Sequence, residues 1–404
     1  MADPAMAQPR MPGLLSIAGA LALACYGTVA AISGADRLST TPDSTTRGLV
    51  GWPYDTMSAR MRAMDALDMN RPAEAERLAR RAVASDPMDP LAIGVLGRAR
   101  QALGQHDAAD AAFRVSGNMG WRDVATQLYW IDRGLDLGDA KVAAERLDAI
   151  MRQFPDNTSR DALINDVTAS VEGRTALAER FAQGAPWQAA FLLTPDETPP
   201  DVLLKRVDVI RRAPRQTFAC DRMAWLTSAL AKANLMDAAQ EVWLRSCDAG
   251  TSLVHDGNFA NLNLDNQSRA SLFDWRVPAV GDIEMLVNEP TPATGGLRQV
   301  DVRVNGASTQ PVLQQMLVLP AGRYRLSWTM PEAGDLALRS LRVSLGCTFD
   351  QGMAQLPTRQ PGDRDRVGTE ILLDSTCRLR PLAFWLAPSV DVHIADVKLE
   401  RVGN

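Results

Sequence analysis

Hydrophobic and polar positions change rhythm twice along this chain, and each change marks a different kind of element. Residues 13–32 read GLLSIAGALALACYGTVAAI, twenty positions without a charge. That is about the length an α-helix needs to cross a bilayer core. Between Thr56 and Pro155 small and bulky residues instead recur at a fixed step of 34. The series are Ala75, Ala109, Ala143; Asn70, Gly104, Gly138; Ala79, Phe113, Leu147; and Ala82, Ser116, Ile150. Pro87 and Pro155 stand two steps apart, with Trp121 at the place between them. The pattern predicts paired helices. Small residues at Ala63, Gly97, Ala109 and Ala143 let backbones approach, and Phe113 and Leu147 fill the space beside them. Asparagine or glycine at the turn suits a positive φ, and proline ends the second helix of a pair.

Beyond Pro155 the register slips but helical spacing persists. Leu163, Ile164 and Val167 share one face of a segment over 161–170, and Pro186–Leu193 reads as a short helix opened by proline. Val202, Leu203, Val207 and Ile210 form an apolar stripe over 201–212. Phe218–Ser246 brings the hairpin back through Leu226, Leu230, Asn234, Ala239, Trp243 and Ser246, six residues out of step with the earlier series. After Gly250 the rhythm becomes alternating, as in 300–304, 316–319, 324–328 and 341–345, with turns at Asn305-Gly306, Ala321-Gly322 and Pro361-Gly362-Asp363. Short alternating strands with turns between them predict a β-sandwich. The fold class expected is therefore multidomain α + β: an N-terminal transmembrane helix, an all-α solenoid and a C-terminal all-β sandwich. The expected divisions are a short cytoplasmic N-terminus over 1–12, a signal-anchor over 13–32 and a flexible stalk rich in Ser, Thr, Gly and Pro over 33–53. Three repeats over 54–155, further helical hairpins over 156–250 and the sandwich over 251–404 follow.

Arg10 and the amino terminus precede the apolar run and no strong basic cluster follows it, which places the N-terminus in the cytoplasm and the bulk of the chain outside. Ala22-Leu23-Ala24 and Val29-Ala30-Ala31 keep a cleaved signal peptide open, and Cys25 a lipoprotein signal. Of five cysteines, four lie outside this segment. The pairs Cys220/Cys247 and Cys347/Cys377, spaced by 27 and 30, suit two local disulfides in an oxidising compartment; four buried thiols are the alternative. Cys220 opens and Cys247 closes the Phe218–Ser246 hairpin, so antiparallel pairing brings them together. A net charge of −5 and the lack of a basic run with interleaved aromatics argue against nucleic acid as a partner.

A 34-residue step is the length of a tetratricopeptide unit. The unit carrying Leu96-Gly97, Ala109, Phe113 and Ser116 resembles that family closely, and those on either side more loosely. Such repeats imply a surface that grips a protein segment. The later domain is similar to galactose-binding-like jelly rolls of carbohydrate-binding modules. It opens on Leu253-Val254-His255-Asp256-Gly257-Asn258-Phe259 and closes on Ile394-Ala395-Asp396-Val397-Lys398-Leu399. Ser271–Arg276 and Leu319–Leu326 add to the likeness. Family members often place an acid after the phenylalanine to hold calcium; Ala260 stands there, and Asp396 is left as a lone oxygen donor, so no metal is expected. The resemblance implies polysaccharide as a ligand, with Tyr324, Trp328 and Trp385 as candidate glycan contacts. Burial in the core is the alternative for each, and Trp275 reads as structural.

No catalytic constellation emerges. Neither a G-x-S-x-G elbow nor a phosphate-binding loop occurs. The three histidines, His106, His255 and His393, lie far apart; His106 reads as exposed, and His255 either caps a strand or meets a sugar hydroxyl. Asp132, Asp136 and Asp139, like Asp363–Arg366, read as solvated faces. No cofactor and no enzymatic activity are expected. The expectation is a single-pass inner-membrane scaffold with its bulk in the periplasm, similar to accessory components of cell-surface polysaccharide assembly and export. A glycan-active enzyme and a purely structural interaction module are the alternatives.

Overall fold

The computed structural model describes residues 14–41, 45–48, 50, 51, 54–247, 253–265, 267, 270–278, 282–291, 296–331, 333–349 and 356–403. The expected N-terminal tail over 1–12 and the change of rhythm at Gly250 lie outside them. The chain divides into two compact units, with the division between Phe154 and Pro155.

The first unit opens with α1, Leu14–Leu38. At 1.5 Å per residue its 25 residues extend about 37 Å. Ile17–Leu38 is long and apolar enough to cross a membrane, and Leu21, Leu23 and Tyr26 are exposed along it. The helix overruns the expected stalk. Its residues 33–38 are helical, and the Asp36 carboxylate accepts backbone hydrogen bonds from Met57 (3.1 Å) and Ser58 (2.8 Å). Those amides are among the orphan donors that open α2, Thr56–Asp68. The acid that caps α2 thus sits on α1, while Asp55, at the N-cap itself, faces Arg81 at 2.7 Å. A short 3₁₀ turn covers Thr45–Gly48.

Three antiparallel pairs follow: α2 with α3 (Pro72–Ser85), α4 (Pro90–Ala102) with α5 (His106–Met119), and α6 (Val124–Asp136) with α7 (Ala140–Gln153). Their first helices start at 56, 90 and 124, their second at 72, 106 and 140, a step of 34 in both series. The chain is a helical-repeat protein of tetratricopeptide-like build. Each turn uses one device: Asn70, Gly104 and Gly138 take positive φ of 55°, 73° and 74°. The next amide then donates back to Ala66, Arg100 or Gly134, closing the helix end. Ala63, Ala79, Ala82, Ala99, Ala109 and Ala143 are buried between helices. A Cβ on Gly97 would stand 2.9 Å from the Phe113 ring, so glycine lets that ring lie on the α4 backbone. Leu147 is likewise buried.

The second unit starts with α8 (Arg160–Thr168), α9 (Val171–Ala182), α10 (Gln188–Leu192) and α11 (Pro200–Arg212). Phe181, Trp187, Phe191 and Phe218 cluster among them. Buried Arg206 bonds the Phe191 and Leu193 carbonyls and reaches Asp161 at 2.7 Å. A 3₁₀ turn at Cys220–Arg222 leads into α12 (Met223–Lys232) and α13 (Met236–Cys247). Their turn repeats the earlier device, with Asn234 at φ 60° and Leu235 donating to Leu230 at 2.8 Å. The Cys220–Cys247 disulfide joins the ends of this hairpin.

The sandwich consists of β1 (Ile283–Asn288), β2 (Gln299–Val304), β3 (Gln310–Val318), β4 (Gly322–Thr329), a short helix α14 (Asp335–Ser340), β5 (Leu341–Leu345), β6 (Thr358–Gln360), β7 (Asp363–Leu373), β8 (Leu379–Leu386) and β9 (Asp391–Arg401). All pairings among the described strands are antiparallel: one sheet orders β1-β2-β9-β4-β7-β6, the other β3-β8-β5. Both sheets contribute side chains to one core around Trp275, Trp328, Leu313, Leu382 and Phe384. Cys347–Cys377 forms the second disulfide, next to the paired strands β5 and β8. The opening segment closes on the last strand: Val397 donates to the Gly257 carbonyl at 2.8 Å, and a Cβ on Gly257 would lie 2.0 Å from the Val397 oxygen. Helices and sandwich are held together inside this unit. Trp243 Nε1 donates to Asp274 at 3.0 Å, Thr227 and Ser271 share a hydrogen bond, and His255 lies against the Trp243 ring.

Candidate functional site

On β4, alternation sends Tyr324, Leu326 and Trp328 inward and Arg323 and Arg325 outward. Tyr324 and Trp328 are 1% and 0% exposed. Tyr324 donates its hydroxyl to the Pro320 carbonyl at 2.9 Å, and Trp328 packs edge-on against Phe384. Neither can meet a sugar. Both are core residues and not the glycan contacts that the resemblance implied. Trp385, on the outer face of β8, is half-buried and donates to Ser344 at 2.8 Å, with Pro311 and Arg342 across from it. Trp275 is buried, its indole N–H donating to the Asp256 carbonyl at 2.9 Å.

His255 is buried rather than placed at a strand end or open to sugar. The Gln315 side chain bonds both its N–H and its carbonyl, and Trp243 and Phe273 flank the ring. Burial pushes its pKa down to about 4, so the ring is neutral at pH 7. Burial pushes neighbouring Asp256 up to about 6 although the Asn261 and Ala260 amides bond it. Asp396 is engaged by Arg366 (2.6 Å) and Lys398 (2.8 Å), which occupy the carboxylate a calcium ion would need. Among the described residues no three His, Cys, Asp or Glu side chains converge on a metal position.

The outer face of the six-stranded sheet holds a polar array that sequence spacing does not reveal. Pairing of β2 with β9 sets Asp301 opposite His393, 92 residues away, at 2.7 Å from Nδ1. Asn288 (2.6 Å) and Gln299 (2.5 Å) also donate to Asp301. Partial burial alone would raise this carboxyl. The bonds from Gln299, His393 and Asn288, with the His393 charge, outweigh it and hold Asp301 below its ordinary value. Beside it Arg303 pairs with Asp391 at 3.2 Å, and a groove of about 300 Å³ runs past Glu284, Leu286, Asp301 and His393. Such a face offers fixed donors and acceptors with an apolar side chain between them, which suits hydroxyl-rich ligands. A carboxyl held down in this way is a poor general acid. The signal that could have found it is the polar alternation Gln299, Asp301, Arg303 read against the last strand.

In the repeat unit His106, expected to be exposed, and two of the acids expected to form a solvated helix face border the same recess. His106, Asp132 and Asp136 line one recess of about 310 Å³ with Asp110, Tyr129 and Arg133. The Tyr129 hydroxyl donates to Asp110 at 2.8 Å, and this bond, with the Arg114 charge, holds Asp110 low against burial. Trp121 is exposed and carries the Arg146 guanidinium 4.1 Å over its ring. A further 34-step series runs through Asp55, Asp89 and Asp123. Asp89 and Asp123 cap α4 and α6, and Asp89 also reaches back to Arg60 at 2.6 Å.

No protein-family model matches the chain, and no curated protein matches it. Solved structures similar to it at low identity include the following three. One is the APC/C hetero-tetramer Cut9–Hcn1 (16% identity, TM-score 0.24), over 48% of this chain and 34% of that one. Another is TmCBM61 in complex with β-1,4-galactotriose (15%, 0.25), over 38% of this chain and 100% of that one. The third is BtGH115A, a family GH115 4-O-methyl-α-glucuronidase with specificity for decorated arabinogalactans (11%, 0.21), over 77% and 48%. The chain thus spans about a third of the first and about half of the third. At these scores the fold rests on the chain's own elements: tetratricopeptide-like helix pairs, further helical hairpins, and an antiparallel β-sandwich.

Proposed function

We propose that this chain is a membrane-tethered adaptor on the periplasmic side of an inner membrane. It binds a protein partner through its helix pairs and glycan through its sandwich, accessory to cell-surface polysaccharide assembly or export, and itself makes and breaks no bond. The observation that carries the reading is α1: an apolar helix whose exposed side chains no described residue covers, fixed through Asp36 to the first of three helix pairs that repeat every 34 residues. Stacked helix pairs are a general platform for gripping an extended segment. The two disulfides support an oxidising compartment. The Asp301 array, partly buried and held by hydrogen bonds from His393, Asn288 and Gln299, supports recognition of hydroxyls rather than proton transfer.

A reporter active only outside the cytoplasm, fused after Asn404, is expected to give signal; silence reverses the topology. Affinity electrophoresis of the full chain in detergent against bacterial polysaccharides is expected to retard it. Unretarded migration in every polysaccharide leaves a protein-only module.

A further inference from the structure

Within the second unit, α12 presents two faces. Met223, Leu226, Thr227 and Leu230 are buried, while Trp225, Ser228, Ala229 and Lys232 lie on the opposite side at helical spacing. That second side walls a cleft of about 480 Å³, completed by Leu193, Thr194 and Asp196 on one flank and by Ala270 and Arg276 on the other. Trp225 is 44% exposed there. A second recess of about 340 Å³ meets the first at Asp221 and Ala270 and continues past Asn261 and Asn263.

We propose that this groove, where the last helical hairpin meets residues 270–276, binds a short glycan with one sugar ring seated on the Trp225 indole. The proposal rests on the reading that the chain binds glycan, and assigns a site distinct from the Asp301 face.

The argument is chemical. A pyranose has an apolar C–H face and a polar rim, so its complement is an exposed aromatic face with fixed donors and acceptors around it. Trp225 supplies the face. Arg222 stands beside it, its backbone amide on the Ala219 carbonyl at 3.1 Å and its guanidinium without an ion pair among the described residues. Asp196 and Lys232 hold each other at 2.7 Å across the cleft, and Arg276 is fixed by the Ala270 carbonyl at 2.8 Å. The Thr194 hydroxyl oxygen is buried at the rim without a partner among the described residues. Both acids (Asp196, Asp221) and bases (Arg222, Lys232, Arg276) line the groove, which suits a ligand of hydroxyls better than one of a single charge.

The groove is also preorganised. Cys220–Cys247 pins the start of α12, and the Thr227–Ser271 and Trp243–Asp274 hydrogen bonds hold the opposite wall to the hairpin. Less ordering is then required on binding. An extended peptide finds no free strand edge at Arg276, whose backbone already exchanges both hydrogen bonds with Gln314 at 2.8 and 2.9 Å.

The test is titration calorimetry of the full chain in detergent with β-1,4-linked tetrasaccharides of glucose, galactose and glucuronate. Trp225→Ala, Trp225→Phe, Arg222→Ala and Asp301→Ala are compared after circular dichroism and non-reducing mass analysis confirm fold and disulfides. Saturable binding to at least one probe is expected. Trp225→Ala should weaken it tenfold or more, Trp225→Phe severalfold less, and Arg222→Ala severalfold, while in Asp301→Ala the Trp225-dependent binding persists and any loss is confined to a separable sheet-face component. Loss in Asp301→Ala with none in Trp225→Ala overturns this site and leaves glycan binding on the sheet face standing. No heat with any probe in the parent chain overturns both. Binding of an unrelated extended peptide that Trp225→Ala abolishes, without saccharide binding, overturns the glycan assignment.

Discussion

The helix pairs and the sandwich solve the same packing problem in opposite ways. In the repeats, alanine and glycine do most of the work at helix crossings, and the contacts that matter join residues less than one repeat apart, such as Gly97 and Phe113. In the sandwich, large aromatics fill the core, and closure depends on residues far apart in the chain, such as Gly257 and Val397. Local packing repeats in sequence and tolerates local damage. Non-local closure leaves no periodic trace and is damaged as a whole. The difference can be broken or sharpened experimentally, beginning with the substitution expected to cost most.

Gly257→Ala would place a methyl 2.0 Å from the Val397 carbonyl, and backbone cannot step aside as a side-chain tip can. The expected cost is about 4 kcal/mol or more, at the upper end for overpacking. Gly97→Ala meets only the Phe113 ring at 2.9 Å and is expected to cost about 1–2 kcal/mol. Hydrogen exchange on the full chain reads both. Exchange should rise across β2, β4 and β9 in the first variant and only within α4 and α5 in the second. Equal spreading in both would dissolve the contrast.

Removing a disulfide probes the same difference. The Cys220–Cys247 and Cys347–Cys377 bridges close loops of 27 and 30 residues, and chain-entropy arguments give about 3–4 kcal/mol for each. Cys220→Ser with Cys247→Ser should therefore lower the urea midpoint of the second unit and leave that of the repeats, which hold no disulfide among the described residues, unchanged. An unmoved midpoint would make the bridge redundant with the Leu235–Leu230 turn.

A pH effect comes next. His255 has a folded pKa near 4 against an ordinary 6.5, so the unfolded chain binds a proton that the folded chain refuses. Its contribution to stability is present above pH 6.5 and is lost as pH falls towards 4, on the order of 3 kcal/mol. Asp256 has the opposite sign: its pKa, raised from 3.8 to about 6, favours the protonated folded state and penalises folding as pH rises through that window. The two largely offset in the parent chain. Asp256→Asn should expose the histidine, giving a second unit that loses stability between pH 7 and pH 5 more steeply than the parent in thermal scans. A variant with the parent's slope would mean that His255 is hydrated.

How much of this was legible in the sequence follows from the same contrast. The 34-step series predicted the helix pairs and their positive-φ turns because each repeat must satisfy the same local geometry. The two disulfides were legible because both close short loops. The sandwich was legible as alternation, but alternation alone does not say which face is inside, and Tyr324 and Trp328 point into the core. Asp301 and His393 were invisible as a pair because only strand pairing between β2 and β9 unites them. Trp225 left a trace, a large aromatic on the polar side of an amphipathic helix, that gains meaning only beside Ala270 and Arg276.

The smallest effect tests the tether. Asp36 lies on α1 yet supplies the hydrogen bonds that α2 would ordinarily draw from its own N-cap. Asp36→Ala should cost about 1 kcal/mol, the usual worth of an N-cap. The loss should be confined to the junction, because α2 keeps its buried contacts through Ala59, Ala63 and Ala66. Amide exchange at Met57 and Ser58 should accelerate by about fivefold, with the α4 and α6 amides unchanged. Asp36→Asn retains an acceptor but no charge and should fall between the two. If exchange at Met57 and Ser58 does not move, the apolar helix and the first repeat are joined by chain alone, and a flexible stalk is restored.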